Sequence, residues 1–157
     1  RVLVLLGANG GGMGVHTCSY AGACGLMQFT DKKTRYGPGT YTTVRNRYPA
    51  ANLIADFEAG ARDHVNAMKA AILLDDMNLA YLMEKYGEKI AQDYRLEEYL
   101  AALYNASPKS VTKSLSPALK AKREEWTARL LKETKGYIAK LRYLRDHQLL
   151  AEHTTPF

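Results

Sequence analysis

The chain has 157 residues, 46% of them hydrophobic and 24% charged, with 22 Lys and Arg against 16 Asp and Glu for a formal charge of +6. That length fits one domain, which buries roughly 68–70% of its unfolded surface on folding, and the composition excludes a collagen-like, repeat or globally disordered chain. No stretch reaches the roughly 18–20 apolar residues of a membrane-crossing helix, and two cysteines are too few for a disulfide scaffold or a four-thiolate zinc site. The chain begins at Arg1 rather than methionine, which reads as a processed or trimmed start. Arg1–Gly14, RVLVLLGANGGGMG, is an apolar run followed by glycines. It predicts a short helix over Val2–Asn9 ended by a glycine turn. In Pro49–Leu74 the residues Ile54, Phe57, Ala61, Val65, Met68 and Ile72 recur every three or four positions. This is one face of an amphipathic helix opening at Pro49. Asp76 reads as the cap of a second helix through Tyr86, with Gly87 as its stop. Leu96, Tyr99, Leu100 and Leu103 mark a third helix ended by Pro108. Pro117 to Leu150 reads as one or two more, with Trp126, Leu130, Tyr137, Leu141 and Leu144 at helical spacing and Gly136 as a local break. No strand candidate follows residue 50, so the fold class is mainly α.

The charge is concentrated. Residues 1–108 are balanced, whereas Lys109–Arg145 holds eleven basic and three acidic residues. Such a stretch is either a solvated helix face or a surface that attracts polyanions such as nucleic acid, anionic lipid or acidic cell-wall polymers. The glycine-rich start invites a nucleotide-binding reading, but the spacing opposes it. A dinucleotide fingerprint opened at Gly7 or Gly10 meets Asn9 or Val15 where glycine is required, and no Gly-Lys-Ser/Thr ending exists for a P-loop. A dinucleotide fold also needs several strands, and the chain offers one such run. His16, His64, His147 and His153 show no metal-ligand spacing with acids or thiols.

Four segments carry a more specific pattern. Ser19-Tyr20-Ala21-Gly22-Ala23-Cys24-Gly25-Leu26-Met27-Gln28-Phe29 resembles the Ser-x-x-Gly-Ala-x-Gly-Leu-Met-Gln signature of the soluble lytic transglycosylase family. Asp56-Phe57-Glu58-Ala59-Gly60-Ala61-Arg62 resembles its Asn-Ile-x-Ala-Gly-Ala helix. Ala102-Leu103-Tyr104-Asn105-Ala106-Ser107-Pro108 resembles its Ala-Tyr-Asn-Ala-Gly-Pro turn, and Glu133-Thr134-Lys135-Gly136-Tyr137-Ile138 its Glu-Thr-x-x-Tyr-Val segment. The four occur in the family's order and together span about residues 1–145.

The resemblance implies a single lysozyme-like α-helical domain over 1–157, with basic C-terminal helices over 109–150. It implies cleavage of peptidoglycan between N-acetylmuramic acid and N-acetylglucosamine, without metal or organic cofactor, by a glutamic acid acting first as acid and then as base. The implied partner is the glycan strand, with a monomer as the expected state. The implied location is the bacterial periplasm or cell envelope, or a phage product acting at the wall. By the same resemblance Gln28 and Ser19 approach the sugar, Met27 forms an apolar platform or packs in the core, Tyr104 directs its hydroxyl at the acid, and Asn105 and Glu133 face the substrate. Outside the motif each has a plainer role: surface glutamine, turn serine, core tyrosine, turn cap, helix-start carboxylate. Cys18 and Cys24 flank the signature, and an extracytoplasmic protein can join them; two separate small hydrophobes are the alternative.

One departure dominates. The family's acid lies nine residues before the signature serine, which is Gly10 here, and the only acids before Glu58 are Asp31 and Asp56. A glycine transfers no proton, so the expectation is a chain inactive as written. Either the acid was removed by engineering or a natural relative lost it and only binds glycan; the intact remainder of the signature favours the former. Ser107 and Thr30 also replace the family's usual glycine and methionine, which bears on substrate fit. A basic helical nucleic-acid-binding domain is the alternative of a different class.

Overall fold

A computed structural model describes residues 18–33 and 37–147. Among them the chain is mainly helical, with six α-helices: α1 (Thr40–Arg47), α2 (Phe57–Arg62), α3 (His64–Tyr86), α4 (Leu96–Asn105), α5 (Pro108–Lys120) and α6 (Lys132–Asp146). Short 3₁₀ turns over Pro49–Ala51, Glu88–Gln92 and Thr127–Arg129 connect them. The one β-type pairing among the described residues is an isolated bridge between Cys24 and Phe29. The chain divides into two compact units, one ending at Met77 and the other beginning at Asn78, and α3 contributes to both. The expected helix over Val2–Asn9 lies outside the described residues.

In the first unit the packing centres on Tyr41, which is fully buried and meets Phe29 edge-on at 5.9 Å and Phe57 at 5.6 Å. Its hydroxyl donates to the Ile54 carbonyl at 2.8 Å and accepts from Asn66 Nδ2 at 2.8 Å. Asn66 also donates to the Gly60 carbonyl and accepts from the Ile54 amide, so all the polar atoms introduced with Tyr41 and Asn66 find partners.

The single helix expected over Pro49–Leu74 is instead three elements. Asp56 caps α2 by accepting from the Ala59 amide at 2.8 Å. Asp63 leaves the helical conformation and accepts from the Asn66 amide at 2.7 Å, starting α3. These two carboxylates reset the helical phase, and the face that turns inward on α3 is Ala67, Ala70, Ala71 and Leu74. Val65, Met68 and Ile72, read from sequence as part of a core face, are 74%, 54% and 67% exposed. Asp76 caps nothing: α3 runs through it, and it accepts a hydrogen bond from the Tyr48 hydroxyl at 2.7 Å. Gly87 does end the helix, in the left-handed region at φ 85° with its amide on the Met83 carbonyl.

The second unit is built on a core of Leu82, Tyr99, Leu103, Val111, Leu115, Trp126 and Ile138. Here α4 packs on both α5 and α6. Helix α4 begins at Leu96 and ends at Asn105, and α5 starts at once with Ser107 as N-cap and Pro108 in its first turn. The buried positions Val111, Ser114, Leu115 and Ala118 follow a helical period. The expected helix start at Pro117 is therefore corrected: Pro117 sits within α5. Trp126 lies ahead of a 3₁₀ turn rather than on a helix, because the Ser114 hydroxyl, donating to its carbonyl at 2.5 Å, ties that loop to α5. Gly136 does not break the chain but lies inside α6, where Thr134 and Ile138 on either side are held in the core.

Candidate functional site

Ser19, Met27 and Gln28 stand on one tightly closed loop. Cys18 and Cys24 are joined by a disulfide, and the Cys24 amide donates to the Phe29 carbonyl at 2.7 Å. Inside the ring the Ser19 and Ala23 backbones pair, while Ser19 Oγ accepts from the Ala23 amide at 3.1 Å. Position 25 of this loop requires glycine. It has φ +73°, and a Cβ on it would stand 1.7 Å from the Ala61 carbonyl oxygen. The loop is thus seated directly on the end of α2. Gln28, itself left-handed at φ 54°, closes the turn through its backbone amide (3.1 Å) and its side-chain amide (2.8 Å), both donating to the Gly25 carbonyl. Met27 and Gln28 are half-buried, and Tyr20 in the ring is fully exposed.

The disulfide closes a short ring, so the loop-closure stabilisation is about 2 kcal/mol less any strain. The expected result of thiol titration on the unreduced, denatured protein is no free thiol; two titrating thiols would remove the bridge.

In the second unit, Tyr104 (half-buried) and Asn105 (exposed) occupy the C-terminal end of α4. Ser107 has a local role: its hydroxyl oxygen accepts from the Ser110 amide and caps α5. Glu133 is exposed in the first turn of α6, where a carboxylate is favoured by the helix dipole. Gly10 lies outside the described residues.

Both acids before Glu58 hold helix starts. Both oxygens of Asp31 are engaged by Thr42, by its amide at 2.8 Å and its hydroxyl at 2.6 Å, across the first turn of α1. Asp56 is the cap of α2. Elsewhere the most deeply buried carboxylate among the described residues is Glu98, 2% exposed on α4 and outside every sequence-predicted site. Arg142 grips it with Nε at 2.9 Å and Nη2 at 2.8 Å, Trp126 Nε1 donates at 3.0 Å, and Arg145 stands 3.5 Å away. Burial works to raise the Glu98 carboxyl, but these hydrogen bonds and charges outweigh it and hold it below its ordinary 4.5. Such a group stays ionised and donates no proton near neutrality. Its signal in the sequence was available: Glu98 lies four residues before Ala102, on the face α4 buries.

Asp93 is a smaller version of the same arrangement. The Arg95 guanidinium and backbone and the Tyr99 hydroxyl converge on it and hold its carboxyl low. Asp75 on α3 goes the other way, raised by burial without a counter-charge. No group of three His, Cys, Asp or Glu side chains among the described residues is placed to hold a metal ion, and none of the described helices is long and apolar enough to cross a membrane. No protein-family model, curated protein or solved structure matches the chain.

Proposed function

We propose that this is a lysozyme-like domain of lytic-transglycosylase type that binds peptidoglycan glycan strands and lacks the acid that would cut them. The observation that carries the reading is the Ser19–Gln28 signature, whose Gly25 admits no side chain and whose Gln28 is folded back on the turn. The order of the Tyr104-Asn105 and Glu133 segments behind it adds support.

In the reaction of such a domain the glutamic acid protonates the glycosidic oxygen as the C1–O bond breaks. Its carboxylate then takes the proton of the muramyl C6 hydroxyl, and that oxygen closes on C1 to give a 1,6-anhydro sugar. The acid is thereby returned to its starting state, and no second carboxylate is consumed. In this chain Gly10 leaves both proton transfers without an agent, and Asp31 and Asp56 are committed to helix starts. What remains is recognition: a tyrosine and amide groups for sugar hydroxyls, with aromatic surface for sugar faces.

The test is sedimentation with purified peptidoglycan. The expected result is retention of the chain on sacculi without release of soluble fragments, weakened severalfold by Asn105→Ala. Salt-dependent retention on DNA with none on sacculi would replace this reading with a nucleic-acid-binding domain.

A further inference from the structure

Helix α6 has two unlike faces. Its inward side carries Thr134 and Ile138 in the core and Arg142 on Glu98. Its outward side carries Tyr137, Lys140 and Leu144, spaced three and four apart and therefore on one surface, with Tyr143 beside them. Tyr137, Tyr143 and Leu144 are 43%, 57% and 38% exposed, and Leu131, just ahead of the helix, is 69% exposed. Lys132 and Lys140 are exposed and make no ion pair among the described residues. Glu133, four residues before Tyr137, is exposed on the same surface and is the one acid there against Lys132 and Lys140.

We propose that the outward face of α6 docks, lying in the plane, on an anionic lipid surface. Charge complementarity selects an anionic partner, and the residues between the lysines select a bilayer among such partners. A purely charged polymer such as polyphosphate would meet the lysines and leave tyrosine and leucine in water, and a glycan or nucleic-acid strand would leave the leucines there. A bilayer interface accepts both, with ammonium groups at the headgroups and tyrosine and leucine at the acyl boundary. From Leu131 to Leu144 the face is about 20 Å long at 1.5 Å per residue, short of the ~30 Å hydrocarbon core, which matches lying on the surface and not crossing it. This inference shares the Glu133–Tyr137 stretch with the glycan reading but no residue of the Ser19–Gln28 loop or the Tyr104-Asn105 turn, so a failure on vesicles and a failure on sacculi are separate results.

The experiment is co-sedimentation of the full chain with vesicles of equal parts phosphatidylglycerol and phosphatidylcholine, against phosphatidylcholine alone. Association is expected with the anionic vesicles only. It should fall as ionic strength rises from about 0.01 to about 0.15 M, over which the Debye length shortens from about 30 to about 8 Å. Lys132→Gln and Lys140→Gln are each expected to lower partitioning about fivefold. Tyr143→Ser should weaken it while leaving the salt dependence unchanged. In a Tyr143→Trp variant, brominated lipid should quench the new tryptophan; Trp126, 1% exposed, serves as the unquenched internal control. Circular dichroism confirms that each variant is folded. Equal association with neutral vesicles, or none with anionic ones at low salt, overturns the proposal. So does a Tyr143→Ser variant that binds like the parent while polyphosphate competes with the vesicles, which would make this a polymer-binding face.

Discussion

On the proposed reading, Gly10→Glu is expected to confer lytic activity. The signature serine fixes the position by counting back nine residues, and the Gly-Leu-Met-Gln turn and the Tyr104-Asn105 segment are already present. A positioned general acid contributes about 10²–10⁴-fold by proton transfer, so the change is far outside assay noise. An apolar setting for the new carboxyl would keep it protonated near neutrality, the form in which it must begin. The measurement is digestion of purified peptidoglycan with mass spectrometry of the released fragments. Products ending in 1,6-anhydromuramic acid identify the transglycosylase route, whereas reducing-end muramic acid would mean hydrolysis. A folded variant that binds glycan and releases neither would show that position 10 is not the seat of the acid. A variant that neither binds nor cuts counts against the family reading itself.

Glu98→Ala is expected to cost about 3 kcal/mol of stability. Removing one partner of a buried ion pair typically costs about 3–5 kcal/mol, because the other charge is left uncompensated. The lower end applies here, since the Arg142 side chain is 34% exposed and can turn to water or to Glu125 at 3.6 Å. Trp126 has no such recourse. At 1% exposed, its indole N–H would be left unpaired in the core, itself worth about 1–3 kcal/mol. Urea denaturation followed by Trp126 fluorescence measures the difference, and Glu98→Gln, which keeps an acceptor for the indole, should lose less.

The effect depends on pH in a definite direction. The folded Glu98 carboxyl is held below its ordinary 4.5, so its contribution is complete above that value and is lost as pH falls through the folded pKa. The stability gap between the parent and Glu98→Ala should therefore be constant near neutrality and close progressively in acid. A gap that stayed constant into strong acid would mean that the carboxylate charge is not what holds α6 to α4.

Local signals in the sequence were decisive where one residue and its neighbours settle the conformation. Gly87 ends α3 because only a residue tolerant of positive φ can turn there, and the apolar spacing of Leu96–Leu103 identifies α4 without reference to anything else. The glycine at position 10 and the neutral balance of residues 1–108 are likewise facts of sequence. Tertiary structure decided the rest. The sequence of α3 offers two apolar stripes, and choosing Ala67, Ala70 and Ala71 over Val65, Met68 and Ile72 depends on the phase reset at Asp56 and Asp63 and on what lies against the helix. The sequence is compatible with Cys18 and Cys24 either bridged or separate, because joining them requires the intervening backbone to turn back on itself, as the Ser19–Ala23 pairing makes it do. Glu98 is the sharpest case. A glutamate among leucines reads as a solvated helix residue until Trp126 and Arg142, 28 and 44 residues further along, arrive at its two oxygens and make its burial favourable. Periodicity speaks for a helix face, but only the chain that returns to cover that face decides which charges it can hold.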